Sequence, residues 1–97
     1  MSVRLIVTIQ AKPGQGTALA QAYKGRCAEV ATEPGCEQFE VFQSALDPDT
    51  LVLLERWSDQ AALDVHAQLN TTRPPLAPEL RADSVPARED YEYNRTR

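Results

Sequence analysis

At 97 residues, 42% hydrophobic and 25% charged, the chain has the makeup of one folded domain with one core and is too apolar for intrinsic disorder. A net charge of −4 with no run of basic residues excludes nucleic acid and anionic membrane surfaces as expected partners, and no apolar stretch approaches the ~18 residues of a membrane-spanning helix. The N-terminal segment lacks a long apolar h-region, so a cytoplasmic location is the expectation.

Val3 to Ile9 alternates and is β-branched, which predicts a strand with Val3, Leu5, Val7 and Ile9 on one face and Arg4, Ile6, Thr8 and Gln10 on the other. Lys12-Pro13-Gly14 ends it with turn chemistry. A helix follows from about Thr17 to Thr32, burying Leu19, Ala22, Tyr23, Cys27 and Val30, with Thr17 as its N-cap. Gly25 inside that helix costs roughly 1 kcal/mol relative to Ala, which predicts close backbone packing there. Glu33-Pro34-Gly35 terminates the helix.

Gln38 to Ser44 reads as a second strand, with Phe39 and Val41 opposite Glu40 and Phe42. Asp47-Pro48-Asp49 turns the chain into a third strand from Thr50 to Trp57, so the two form a hairpin. Ser58 opens a second helix that runs to about Leu69, with Ala62, Leu63, His66, Leu69 and Asn70 on one face. Pro74, Pro75 and Pro78 make residues 71–84 an irregular connection with room for one short turn over Leu76–Leu80. Pro86 to Asn94 is the expected last strand, with Tyr91 and Tyr93 on one face.

The order strand, helix, strand, strand, helix, strand predicts one α+β domain over residues 1–97. With right-handed crossovers it becomes a ferredoxin-like βαββαβ unit: a four-stranded antiparallel sheet with two helices on one face. The third strand is apolar on both faces, Leu51 and Leu53 against Val52 and Leu54, so a second subunit packed sheet to sheet is expected to cover the open side.

The only Trp and the only His, Trp57 and His66, fall together in this arrangement. Trp57 ends the third strand and His66 lies two turns into the next helix, on the stripe that packs against the sheet. An imidazole with an ordinary pKa near 6.5 aimed inward beside an indole predicts a pocket between them. Cys27 and Cys36 are expected to be free thiols, and two Cys with one His lack the repeated spacing of a zinc site, so no metal is expected. Gly14-x-Gly16 is no dinucleotide loop, because Leu19 occupies the third glycine position.

Glu33-Pro-Gly-Cys36, Phe39, Asp47-Pro-Asp49, Leu53-Leu-Glu-Arg-Trp57 and Ala61-Ala-Leu-Asp-Val-His66 together resemble the antibiotic biosynthesis monooxygenase (ABM) domains. The resemblance covers residues 3–70 and departs in the Pro-rich segment after Asn70, where relatives carry more helix. It implies a dimeric α+β barrel and chemistry without flavin, metal or other cofactor, in which a small aromatic quinol- or polyketide-like substrate is deprotonated and passes an electron to O2. Haem breakdown in that superfamily uses an Asn on the first strand, and here that strand carries Val7, Thr8 and Ile9.

For a cofactor-independent monooxygenase the expected catalytic residues are His66, as base, and Trp57, walling the pocket and offering its N–H to a substrate oxygen. Tyr23, Asn70 and Glu55 are the expected substrate-binding residues: Tyr23 flanks the ring, Asn70 holds a carbonyl, and Glu55 partners His66. The other readings are a non-catalytic small-molecule-binding dimer, in which His66 is a packed imidazole satisfied by Glu55, and an isomerase or cyclase in which His66 moves a proton without O2.

Overall fold

The alternation of the first strand is realised as β1 (Ser2–Gln10) in a computed structural model that describes residues 1–83 and 87–93. It is followed by α1 (Gly16–Val30), β2 (Cys36–Gln43), β3 (Thr50–Trp57) and α2 (Gln60–Asn70). A single 3-10 turn (Pro78–Leu80) precedes β4 (Ala87–Tyr93). The four strands form one sheet in the order β2-β3-β1-β4, every neighbouring pair antiparallel. This is the ferredoxin-like α+β architecture that the element order predicts. The expected last-strand ends Pro86 and Asn94 lie outside the described residues.

Both helices pack on the sheet face that carries Val3, Leu5, Ile9, Leu51, Leu53 and Trp57, all buried. Leu19, Tyr23 and Val30 from α1 and Leu63 from α2 close that core. Leu19, Leu51 and Trp57 are sealed at 0% exposure, each contributing roughly 2–3 kcal/mol of transfer free energy. The opposite face bears Ile6, Val52 and Leu54, half-buried, and Phe42, 47% exposed. Among the described residues no helix is long and apolar enough to cross a membrane. Cys27 and Cys36 are free thiols, half-buried at the edge of the core.

Four local expectations are corrected. Thr17 does not cap α1: the cap position is Gln15, with no side-chain bond, and the carboxylate of Asp49 accepts from Gly14 N (2.9 Å) and Gly16 N (3.0 Å) instead. The first amide of the helix, Gly16 N, is thus met from the β2–β3 turn, 33 residues away. Gly16 permits this approach, because a Cβ there would sit 1.8 Å from the carbonyl oxygen of Pro48. Gly25, where close packing was expected, faces open space with nothing within 4 Å of a Cβ. Ser58 does not start α2; Asp59 caps it, accepting from Ala62 N at 2.8 Å. The buried stripe of α2 also stops early: Leu63 and His66 are buried, Leu69 is 42% exposed and Asn70 is exposed.

Candidate functional site

Residues that face each other across antiparallel strands share a face, so the sheet is read in rungs. Glu55 on β3 stands opposite Leu5 on β1 and Phe39 on β2, and Leu5 in turn faces Asp90 on β4. The next rungs hold Trp57 with Val3 and Cys36, and Leu53 with Val7 and Val41. Because Val7 pairs with Arg88, the strand parity that turns Leu5 and Val7 toward the helices turns Arg88 there as well. An acidic residue is therefore embedded in an apolar row, with an arginine one rung away and two strands over, across β1.

Glu55 is 5% exposed, and its Oε1 accepts the indole N–H of Trp57 at 3.0 Å. Burial pushes its carboxyl above the usual carboxylate range; the Trp57 hydrogen bond and the charges of His66 and Arg88 work against that rise. The imidazole of His66, 7% exposed, stacks on Trp57 with ring centroids 4.6 Å apart and planes tilted by 30°. It also meets Phe39 at 5.6 Å. The gap expected between His66 and Trp57 is therefore filled, and the expected partnership of Glu55 with His66 is replaced by two separate bonds. Glu55 holds Trp57, whereas His66 places Nδ1 3.0 Å from Oε1 of Glu33.

Glu33 continues the network. Its Oε2 accepts from Nη2 of Arg73 at 2.8 Å, and Nε of Arg73 donates to Oε1 of Glu29 at 3.0 Å. The chain His66–Glu33–Arg73–Glu29 thus ties α2 and the segment beyond it to the end of α1. Arg26 of α1 adds a bond from Nη2 to the carbonyl of Pro74, 2.9 Å.

The open space lies beside this network. A cavity of about 430 Å³ has a floor of Leu5, Val7, Ile9 and Leu53, with Glu55 at one side. Tyr23 and Arg26 wall it from α1, and the Pro-rich stretch from Arg73 to Leu76 closes it. A second cavity of about 260 Å³ is lined by Glu55, Leu63, His66 and Ala67. The two share Leu5, Glu55, Asn70 and Arg88. Trp57 lines neither, since it is sealed beneath Glu55 with its N–H committed.

Four of the five residues expected at the site therefore meet the cavities: Tyr23, Glu55, Asn70 and His66. The fifth, Trp57, supports two of them from below. Sequence reasoning missed Glu33, Arg26, Arg73, Arg81 and Arg88. Glu33 was legible only as the end of a helix, and the arginines are too scattered in sequence to form a visible cluster. The Pro-rich departure after Asn70, whose contribution to the site was open in the sequence, supplies a cavity wall.

Residues 2–73 match the family described as antibiotic biosynthesis monooxygenase. The chain belongs to that family. Among solved structures, the ABM fold recurs in a conserved protein of Methanosarcina mazei Go1, at 24% identity and a TM-score of 0.80 over 97% of this chain and 94% of that one. PA3566 of Pseudomonas aeruginosa is similar at 26% identity and a TM-score of 0.77, covering 97% of this chain and 95% of that one. An antibiotic biosynthesis monooxygenase of known structure shares 25% identity and a TM-score of 0.76 over 96% of this chain and 99% of its own. No curated protein sequence matches.

Proposed function

We propose that this ABM-family chain is a cofactor-independent monooxygenase that oxidises a small aromatic, quinol- or polyketide-like substrate with O2. The observation that carries the reading is Glu55, a carboxyl at the junction of two cavities whose affinity for protons is raised by burial. A group tuned in this way suits proton abstraction from a phenol, enol or activated methylene near neutral pH. Glu55 takes the proton, while Trp57 fixes one of its oxygens. His66, locked by Glu33, stands in the smaller cavity and accepts the proton next or donates to the substrate oxygen. Asn70 holds a carbonyl and Tyr23 flanks the ring. Burial raises the Tyr23 pKa while Arg81 and Arg26 lower it, and the shifted phenol remains a proton donor.

The resulting carbanion passes an electron to O2, the two radicals combine, and the hydroperoxide collapses with loss of water. For an anthrone-like methylene the carbon gives up both hydrogens and keeps one oxygen atom as a ketone, while the other oxygen atom leaves with those hydrogens as water. The substrate supplies all the electrons, and no external reductant enters. The protein acts as a cytoplasmic homodimer in this reading, its partner covering Ile6, Phe42, Val52 and Leu54.

A second reading has support in the Glu33–His66 pair, which would also serve an isomerase or cyclase that moves protons without O2. Oxygen uptake by flavin-free protein on a panel of anthrones and hydroquinones separates the two. Glu55→Gln should lower kcat by about 10²-fold or more, and His66→Ala by at least about tenfold. Unchanged uptake in Glu55→Gln, or no uptake by the wild type on any member of the panel, removes the oxygenase reading. Equal turnover under nitrogen establishes the isomerase.

A further inference from the structure

The larger cavity is unusually rich in positive charge for a chain with a net charge of −4. Arg26, Arg73, Arg81 and Arg88 all reach it, against the single carboxyl of Glu55. Two of the four are already neutralised. Arg73 is bonded to both Glu29 and Glu33, and Arg88 pairs with Asp90 at 2.9 Å. Arg26 and Arg81 have no carboxylate partner among the described residues. Arg26 gives one nitrogen to the Pro74 carbonyl and keeps the rest of its guanidinium, and the backbone of Arg81 is fixed by a bridge to Ala11.

We propose that Arg26 and Arg81 form an anion-binding end of the cavity, so that the substrate is an aromatic carboxylate rather than a neutral ring. Guanidinium groups match a planar, singly charged carboxylate in shape as well as charge, and a cleft floored by apolar rows strengthens the attraction. The floor of Leu5, Val7, Ile9 and Leu53 takes the ring. Glu55 fixes the orientation: once ionised it repels the anionic end and leaves the hydroxyl or enol end beside itself. A volume of about 430 Å³ suits a guest of one or two rings. This inference rests on the cavity being the substrate site, and it adds the class of compound that enters.

Gentisate and hydroquinone are a matched pair of probes, differing by one carboxylate. Titration calorimetry without oxygen should show gentisate binding roughly tenfold or more tightly than hydroquinone at low salt, one charge-assisted bond being sufficient for that margin. The margin should shrink as salt rises. The double variant Arg26→Gln/Arg81→Gln should bind both probes alike, and Arg26→Lys/Arg81→Lys should restore part of the preference. Equal affinity of the wild type for the two probes, no gentisate binding at all, or a preference that survives the double Gln change overturns the proposal. If the Gln variant does not fold, salt decides: a gentisate preference insensitive to salt also overturns it. A gentisate preference without oxygen uptake would leave this proposal standing and remove the oxygenase reading. Oxygen uptake on neutral substrates with no such preference would do the reverse.

Discussion

Glu55 owes its character to its place in the sheet. Strand parity puts it on the helix-facing side between Leu5 and Phe39, where a side chain would normally be apolar, and one indole N–H compensates only part of the lost hydration. The folded carboxyl therefore holds its proton more tightly than the unfolded one, because burial is the largest influence on it. The folded state then binds more protons than the unfolded state, so stability declines as pH rises from the ordinary carboxylate range through the raised value. Glu55→Gln should lack this decline. Urea unfolding from about pH 4 to about pH 8 should show the variant gaining on the wild type across that window, and a constant difference would show that the carboxyl is not perturbed. The pairing of Trp57 with His66 was legible in the sequence, since a strand end and a mid-helix position were enough to bring the rings together. What filled the gap between them was not. Periodicity tells which way a side chain leans but not how closely two rings approach, and nothing local marked Glu33 as the partner of an imidazole 33 residues on.

At the scale of elements, α1 shows how far a helix start depends on chain that is distant in sequence. Its first amide, Gly16 N, and that of Gly14 just before it are satisfied by Asp49, and Gly16 is bare so that the Pro48 carbonyl can lie against it. Gly16→Ala would drive a methyl group into backbone that cannot yield, and should cost several kcal/mol, on the order of the largest single-site effects. Gly25→Ala, in the same helix and facing open space, should instead stabilise by roughly 0.5–1 kcal/mol. Thermal unfolding of the two variants should therefore move in opposite directions; a destabilised Gly25→Ala would mean that a neighbour fills that space. The strands were readable almost residue by residue, as in β3, because alternation and the Asp47-Pro-Asp49 turn both mark them. The caps were misplaced because Thr17 and Ser58 are competent residues whose roles went to Asp49 and Asp59, a choice made by tertiary geometry.

For the whole molecule, element order and crossover handedness sufficed for the four-stranded sheet with both helices on one side. The concentration of arginine around the cavity was invisible, since Arg26, Arg73, Arg81 and Arg88 come from a helix, two connecting segments and an edge strand. The other sheet face carries the prediction that belongs at this scale. Ile6, Val52 and Leu54 are only half-covered and Phe42 is open, on a chain small enough to gain from burying more surface. Leu54→Arg should shift the protein from dimer toward monomer in analytical ultracentrifugation, while its far-ultraviolet circular dichroism is unchanged. A wild type that sediments as a monomer would end the dimer proposal.

β4 has a different kind of exposure. Its helix-facing positions are Arg88, Asp90 and Glu92, all exposed and none contributing apolar surface to the core, so the strand is secured chiefly by its backbone ladder to β1. Such a strand opens locally at lower free energy than the centre of the sheet. Its amides should trade hydrogen for deuterium soonest among the four strands, and a guest held against Arg88 should slow that trade while leaving β3 nearly untouched.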